Sequence, residues 1–157
     1  MPLEIERRFL VRDSSVIGGA VGQPVMQGYF GTVDGLSVRV RLIGDEAYLT
    51  FKGPRRGVAR VEYEYPLSVE RARLALQALP PERLVQKTRH KIVDSGSLWV
   101  VDQFRGVHDG LFLAEIELDR PSCPFAVPLW LGREVTSDER YGNSRLAAAG
   151  QIPLLAA

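Results

Sequence analysis

Hydrophobic and polar residues alternate along most of this chain with a period of two, the spacing that sends successive side chains to opposite faces of a β-strand. Eight segments carry the pattern: Leu3–Val11, Val25–Phe30, Ser37–Ile43, Ala47–Lys52, Arg60–Tyr65, Leu84–Val93, Leu98–Phe104 and Leu111–Asp119. Turn chemistry separates many of them. Asp34-Gly35, Gly44-Asp45, Lys52-Gly53-Pro54, Asp94-Ser95-Gly96 and Asp109-Gly110 offer the positive or fixed φ that tight reversals need. Between the fifth and sixth segments the period changes. Val69, Ala72, Leu76 and Leu79 follow helical spacing, behind Ser68 as an N-cap and ahead of Pro80-Pro81 as a stop. A second helix is expected from Asn143 through Arg145-Leu146-Ala147-Ala148-Ala149, closed by Gly150. Gly18-Gly19-Ala20-Val21-Gly22 reads as a flexible connector without the lysine-bearing spacing of a phosphate loop.

The polar face of these strands is charged and sorted by sign. Glu4, Glu6 and Arg8 share a face on the first strand, and Arg39 and Arg41 on the third. Lys52 shares one with Thr50 and Tyr48. Arg60, Glu62 and Glu64 fall together, as do Lys87, Arg89 and Lys91; Asp102 and the group Glu115, Glu117 and Asp119 complete the set. An ordinary half-exposed sheet accounts for any one of these strands, since a solvated face alternates with a core face in the same way. Such a face normally mixes Thr, Ser, Gln and Lys, whereas this one repeats Glu-x-Glu and basic-x-basic with few neutral polar residues.

The fold class expected is mainly β (α+β): a closed eight-stranded antiparallel β-barrel with a few flanking helices. The charged face then lines a tunnel and the apolar face packs against helices and loops. Glutamates two apart project carboxylates about 7 Å apart along a strand, and such oxygens suit Mg²⁺ or Mn²⁺. Facing arginines and lysines suit phosphate oxygens. Carboxylates, a metal and a basic wall together describe a polyphosphate site.

Composition adds limits. A chain of 157 residues, 45% hydrophobic, suits one domain over residues 1–157. Lys and Arg number 20 against 19 for Asp and Glu, so net charge gives no reason to expect nucleic acid or an anionic membrane as partner. Cys123 is the single cysteine and reads as structural, and no secretory signal or bilayer-length apolar run is present, so a cytoplasmic protein is expected. His90, facing away from Lys87 and Arg89, reads as structural, and His108, beside Asp109-Gly110, as solvated.

At this point the ordered motifs matter together. Glu4-Ile5-Glu6-Arg7-Arg8-Phe9 resembles the Glu-x-Glu-x-Lys signature of the CYTH superfamily, also called triphosphate tunnel metalloenzymes. Gln27-Gly28-Tyr29, Arg39-Val40-Arg41, Phe51-Lys52, Arg60-x-Glu62-x-Glu64, Lys87-Thr88-Arg89, Val101-Asp102, Glu115-Ile116-Glu117 and Glu134-Val135-Thr136 through Arg140-Tyr141-x-Asn143 resemble the successive elements of its short bacterial members. The resemblance implies an eight-stranded tunnel that hydrolyses or rearranges triphosphates with a divalent metal. It implies Glu4, Glu6, Glu115 and Glu117 as metal ligands, with Glu62, Glu64 and Asp102 as supporting acids. Arg39, Arg41, Lys52, Lys87 and Arg89 would hold phosphates, joined by Arg8 and Arg60 on their shared faces. Lys87 and Tyr29 would activate water as a pair, and crowding by Arg89, Arg39 and Arg41 would lower the pKa of Lys87. Two departures stand out: Arg8 replaces the signature lysine, and Ser144 replaces the basic residue that usually follows Tyr-x-Asn, with Arg145 adjacent.

The function expected is a Mg²⁺- or Mn²⁺-dependent triphosphatase that cleaves the terminal phosphoryl group of a small linear triphosphate, inorganic tripolyphosphate first. A class IV-type adenylyl cyclase is one alternative, although no residue is assigned to adenine. A non-catalytic polyphosphate- or nucleotide-binding tunnel is another, favoured by Arg8. A homodimer is left open.

Overall fold

The structure is a computed structural model that describes residues 2–149. Its strands are β1 Leu3–Val11, β2 Gly22–Val33, β3 Leu36–Ile43, β4 Glu46–Lys52, β5 Ala59–Leu67, β6 Leu84–Asp94, β7 Ser97–Phe104, β8 Phe112–Glu117 and β9 Leu131–Glu134. The first eight correspond to the eight alternating segments. They run in the order β5-β4-β3-β2-β6-β7-β8-β1, and pairing of β5 with β1 closes the ring. Every pairing is antiparallel.

Tight hairpins set the register. Asp34 and Gly35 both take positive φ, 51° and 76°, as a type I′ turn requires, and Ser95 and Gly96 do the same at 50° and 79°. Closure is less extensive. Leu3, Glu4 and Ile5 face Val61, Arg60 and Ala59, and beyond them the same edge of β1 pairs with β9. β9 departs from the eight-strand expectation: it is a short ninth strand outside the ring.

The apolar faces look outward and are covered. Trp99 is fully buried and meets Phe9, Phe125 and Trp130 edge-on, with ring centroids 5.5–5.7 Å apart. Each such pair is worth about 0.5–1.5 kcal/mol beyond its buried area. The expected first helix is present as α1, Val69–Gln77, with the Ser68 hydroxyl accepting from Arg71 N. Its Ala72 and Leu76 pack against Val40 and Ala47. Gly28 permits this approach, because a Cβ there would run into Leu76 and Leu79.

The expected second helix is α2, Asn143–Ala149, whose Leu146 and Ala147 bury against Leu10, Val85, Phe104 and Tyr141. Its expected stop at Gly150 lies outside the described residues. Two local expectations change. The expected connector, residues 18–22, is structured at both ends: Gly18 and Gly19 close a 3-10 helix, Ser14–Gly19, capped by Asp13, and Gly22 opens β2. His108 is buried rather than solvated, its Nε2 donating to Leu146 O at 2.6 Å beneath α2. Among the described residues no helix is long and apolar enough to cross a membrane.

Candidate active site

With the apolar faces turned out, the charged faces line the interior of the ring. A cavity of about 540 Å³ is bordered by Glu4, Glu6, Arg8, Arg39, Arg41, Lys52, Glu62, Glu64, Lys87, Arg89, Glu115 and Glu117. A second, of about 550 Å³, is bordered by Tyr29, Arg55, Arg60, Thr136 and Arg145 and shares Arg8, Arg39, Lys52 and Asn143 with the first. Twelve of the fifteen candidate site residues therefore border one space. Tyr29 and Arg60 border the adjoining one, and Asp102 borders neither.

The basic side is the more buried. Lys87 is 2% exposed and its Nζ contacts Asp102 Oδ2 at 2.6 Å and Asn143 Oδ1 at 2.9 Å. Arg89 grips Asp102 with two bonds, Nε to Oδ1 at 2.8 Å and Nη2 to Oδ2 at 2.9 Å. Asp102 was expected among the metal-supporting acids. Both of its oxygens are taken by bases, so its place in the structure is that of a buried counter-ion. Burial pushes the Asp102 carboxyl upward, but Lys87 and Arg89 hold it below its ordinary value. Burial drives the Lys87 ammonium down to about 7, with Arg89 and Arg41 adding to the effect against the pull of Asp102. The expected lowering is present, with burial rather than crowding as its largest cause.

Neutral residues organise this side, and sequence reasoning missed them as site residues. Gln27 is fully buried; its Nε2 donates to Tyr29 Oη at 2.6 Å and to Asn143 Oδ1 at 3.0 Å, and its Oε1 accepts from Arg41 Nε at 3.0 Å. Lys87 and Tyr29, expected as a pair, are thus joined through Asn143 and Gln27. Burial raises the Tyr29 phenol above its ordinary value, which keeps it protonated. Gln27 stands within the noted element Gln27-Gly28-Tyr29, and Asn143 within the Tyr-x-Asn element, and both were signals.

The acid side is paired differently. Lys52 Nζ lies 3.0 Å from Glu4 Oε2 and 2.9 Å from Glu62 Oε2. Arg8 Nη2 bridges Glu6 Oε1 at 3.4 Å and Glu115 Oε2 at 3.2 Å. Arg55, from the loop between β4 and β5, puts Nη2 3.0 Å from the same Glu6 oxygen. It escaped sequence reasoning because a loop residue belongs to no alternating pattern. Glu64 accepts from Thr50 Oγ1 at 3.4 Å, with Arg39 Nη2 at 3.8 Å. Arg60 Nε donates to Gly53 O at 3.2 Å.

Among the described residues no three acids form a ready metal cage. The donor chemistry still fits a hard divalent cation, since the ligand atoms that Glu4, Glu6, Glu115 and Glu117 offer are carboxylate oxygens. Burial, then Glu115 and Glu4, push the Glu6 carboxyl up to about 7, and burial with Glu4 and Glu62 raises Glu117. Such crowding is what a cation among them would relieve.

A closed strand ring with a charged interior and an apolar exterior defines a tunnel domain. A model of the CYTH domain matches residues 2–148, and the chain belongs to that family. It is 42% identical over 146 residues to an inorganic triphosphatase of Acetivibrio thermocellus, covering 93% of this chain and 94% of the relative. It is 38% identical over 149 residues to an inorganic triphosphatase of Nitrosomonas europaea, covering 92% and 96%. The crystal structure of the inorganic triphosphatase NE1496 superposes with a TM-score of 0.68 at 35% identity, covering 94% of this chain and 96% of that one.

Proposed function

We propose that this chain hydrolyses the terminal phosphoryl group of a linear triphosphate, inorganic tripolyphosphate first, with Mg²⁺ or Mn²⁺ held by Glu4, Glu6, Glu115 and Glu117. The observation that carries the reading is the buried basic wall. Arg39 is 7% exposed and its Nε has no hydrogen-bond partner, with Arg41 close enough to feel its charge. Neighbouring cations drawn out of water are costly unless an anion joins them, and a phosphate chain supplies one in bidentate form. The names of the two curated relatives point to the same reaction class.

In this reading Arg39, Arg41, Arg89 and Lys52 bind the phosphates and offset charge on the transferring group. Lys87, lowered toward 7, takes a proton from the attacking water in its neutral form. Asn143 orients the Lys87 amine, and Tyr29, accepting from Gln27, keeps its own O–H free to donate into the adjoining cavity. A bound divalent cation would supply Lewis-acid charge on the phosphoryl oxygens.

The test is a panel of tripolyphosphate, ATP, thiamine triphosphate and pyrophosphate against Mg²⁺, Mn²⁺ and Ca²⁺. Phosphate release from tripolyphosphate, lost on Lys87→Ala, is expected. No release from any triphosphate sinks the reading, and cyclic AMP from ATP replaces it with a cyclase.

A further inference from the structure

The acids expected to receive metal are held by cations of the chain itself. Glu4 is held by Lys52, and Glu6 by Arg8 and Arg55 together; Arg8 also holds Glu115. Arg55 is fixed from behind as well, its Nη1 lying 3.5 Å from Val58 O. A divalent ion arriving alone must therefore displace guanidinium and ammonium groups from the oxygens it needs. Lys52 and Arg8 also border both cavities, so an anion in the tunnel gives them a new partner within reach. Arg55 borders only the second cavity and keeps its hold on Glu6 unless the cation outcompetes it.

We infer that a polyphosphate anion and a divalent cation bind this tunnel cooperatively, the anion drawing Lys52 and Arg8 away from the carboxylates, and that Arg55 is a positioning residue whose hold on Glu6 weakens cation binding with or without the anion. The inference rests on the anion-and-cation site proposed above and couples the filling of its two halves. Coupling of this kind is reciprocal: whatever factor the anion adds to cation affinity, the cation adds to anion affinity.

Mn²⁺ binding to the full chain, read from the electron paramagnetic resonance signal of the free aqua ion, tests this in chloride and in sulfate at matched ionic strength. Sulfate serves as a tetrahedral anion that chelates Mn²⁺ weakly. Affinity is expected to rise in sulfate by roughly 5-fold to 150-fold, the usual span of such coupling. Arg55→Gln is expected to raise Mn²⁺ affinity in chloride and in sulfate alike, leaving the sulfate effect in place, whereas Arg55→Lys keeps the wild-type affinities. Equal affinity in the two salts overturns the cooperativity. An Arg55→Gln chain that titrates like wild type overturns the assignment to Arg55, and the wild-type comparison decides the cooperativity even if that variant fails to fold. Coupled Mn²⁺ binding without tripolyphosphate hydrolysis would remove the proposed reaction and support the inference; hydrolysis with uncoupled Mn²⁺ binding would do the reverse.

Discussion

The basic wall on β2, β3 and β6 and the acid wall on β1, β5 and β8 differ in how their charges are held. On the basic side Lys87 and Asp102 are each 1% exposed at the side chain and sit among neutral anchors, Gln27 and Asn143. On the acid side Glu62 is 22% and Glu64 38% exposed, and the partners are long flexible cations. Buried groups held by neutral hydrogen-bonding anchors keep one geometry, while ion pairs nearer to solvent trade partners at less cost. If the proposed roles hold, the phosphate-facing side is built in advance, and the cation-facing side is assembled when its ligands arrive.

Four measurements sharpen or break that contrast. The largest effect belongs to Lys87→Met, which is expected to lower tripolyphosphate hydrolysis by about 10²–10⁴-fold, the usual contribution of a positioned proton acceptor. A phosphate-release assay that finds full activity would remove Lys87 from the chemistry. Next, Asp102→Asn leaves two buried cations without their counter-ion and is expected to destabilise by about 3–5 kcal/mol in urea denaturation. A loss below about 1 kcal/mol would show the basic wall to be no better held than an exposed pair.

The pH dependence of stability should have opposite slopes on the two sides. Lys87 titrates at about 7 folded against 10.5 unfolded, so the unfolded chain holds the extra proton between them and stability rises with pH across that window. Glu6 is raised to about 7 from 4.5, so the folded chain holds the extra proton and stability falls from pH 4.5 to 7. Denaturation midpoints across pH should lose the upper limb in Lys87→Met and the lower one in Glu6→Gln; a limb that survives its own substitution assigns the slope elsewhere. The smallest effect belongs to Arg145→Ala, whose pair with Glu139 is 69% and 82% exposed, and a change within about 0.5 kcal/mol is expected from the same denaturation assay.

The ring was legible because its strands obey period two and its hairpins carry residues that accept positive φ, as at Asp34-Gly35. β9 was not legible: four residues, Leu-Gly-Arg-Glu, are too few to show alternation, and their partner on β1 is more than a hundred positions away. His108 reads as polar from its neighbours, but a carbonyl on α2 decides its burial. Alternation showed that Asp102 faces inward without showing whether a metal or a base would meet it. Gln27 carries no charge and so escaped a search for charged faces, although it ties Tyr29, Arg41 and Asn143 together.

Three register pairs join β1 to β5, whereas seven join β3 to β4. A short seam is where amide hydrogens exchange first, through local opening rather than global unfolding. The seam is also clipped from inside, since Lys52 on β4 holds Glu4 on β1 and Glu62 on β5 at once. Deuterium uptake at Ala59–Val61 should therefore respond to whatever engages Lys52, so that the backbone of one edge reports on the occupancy of the tunnel.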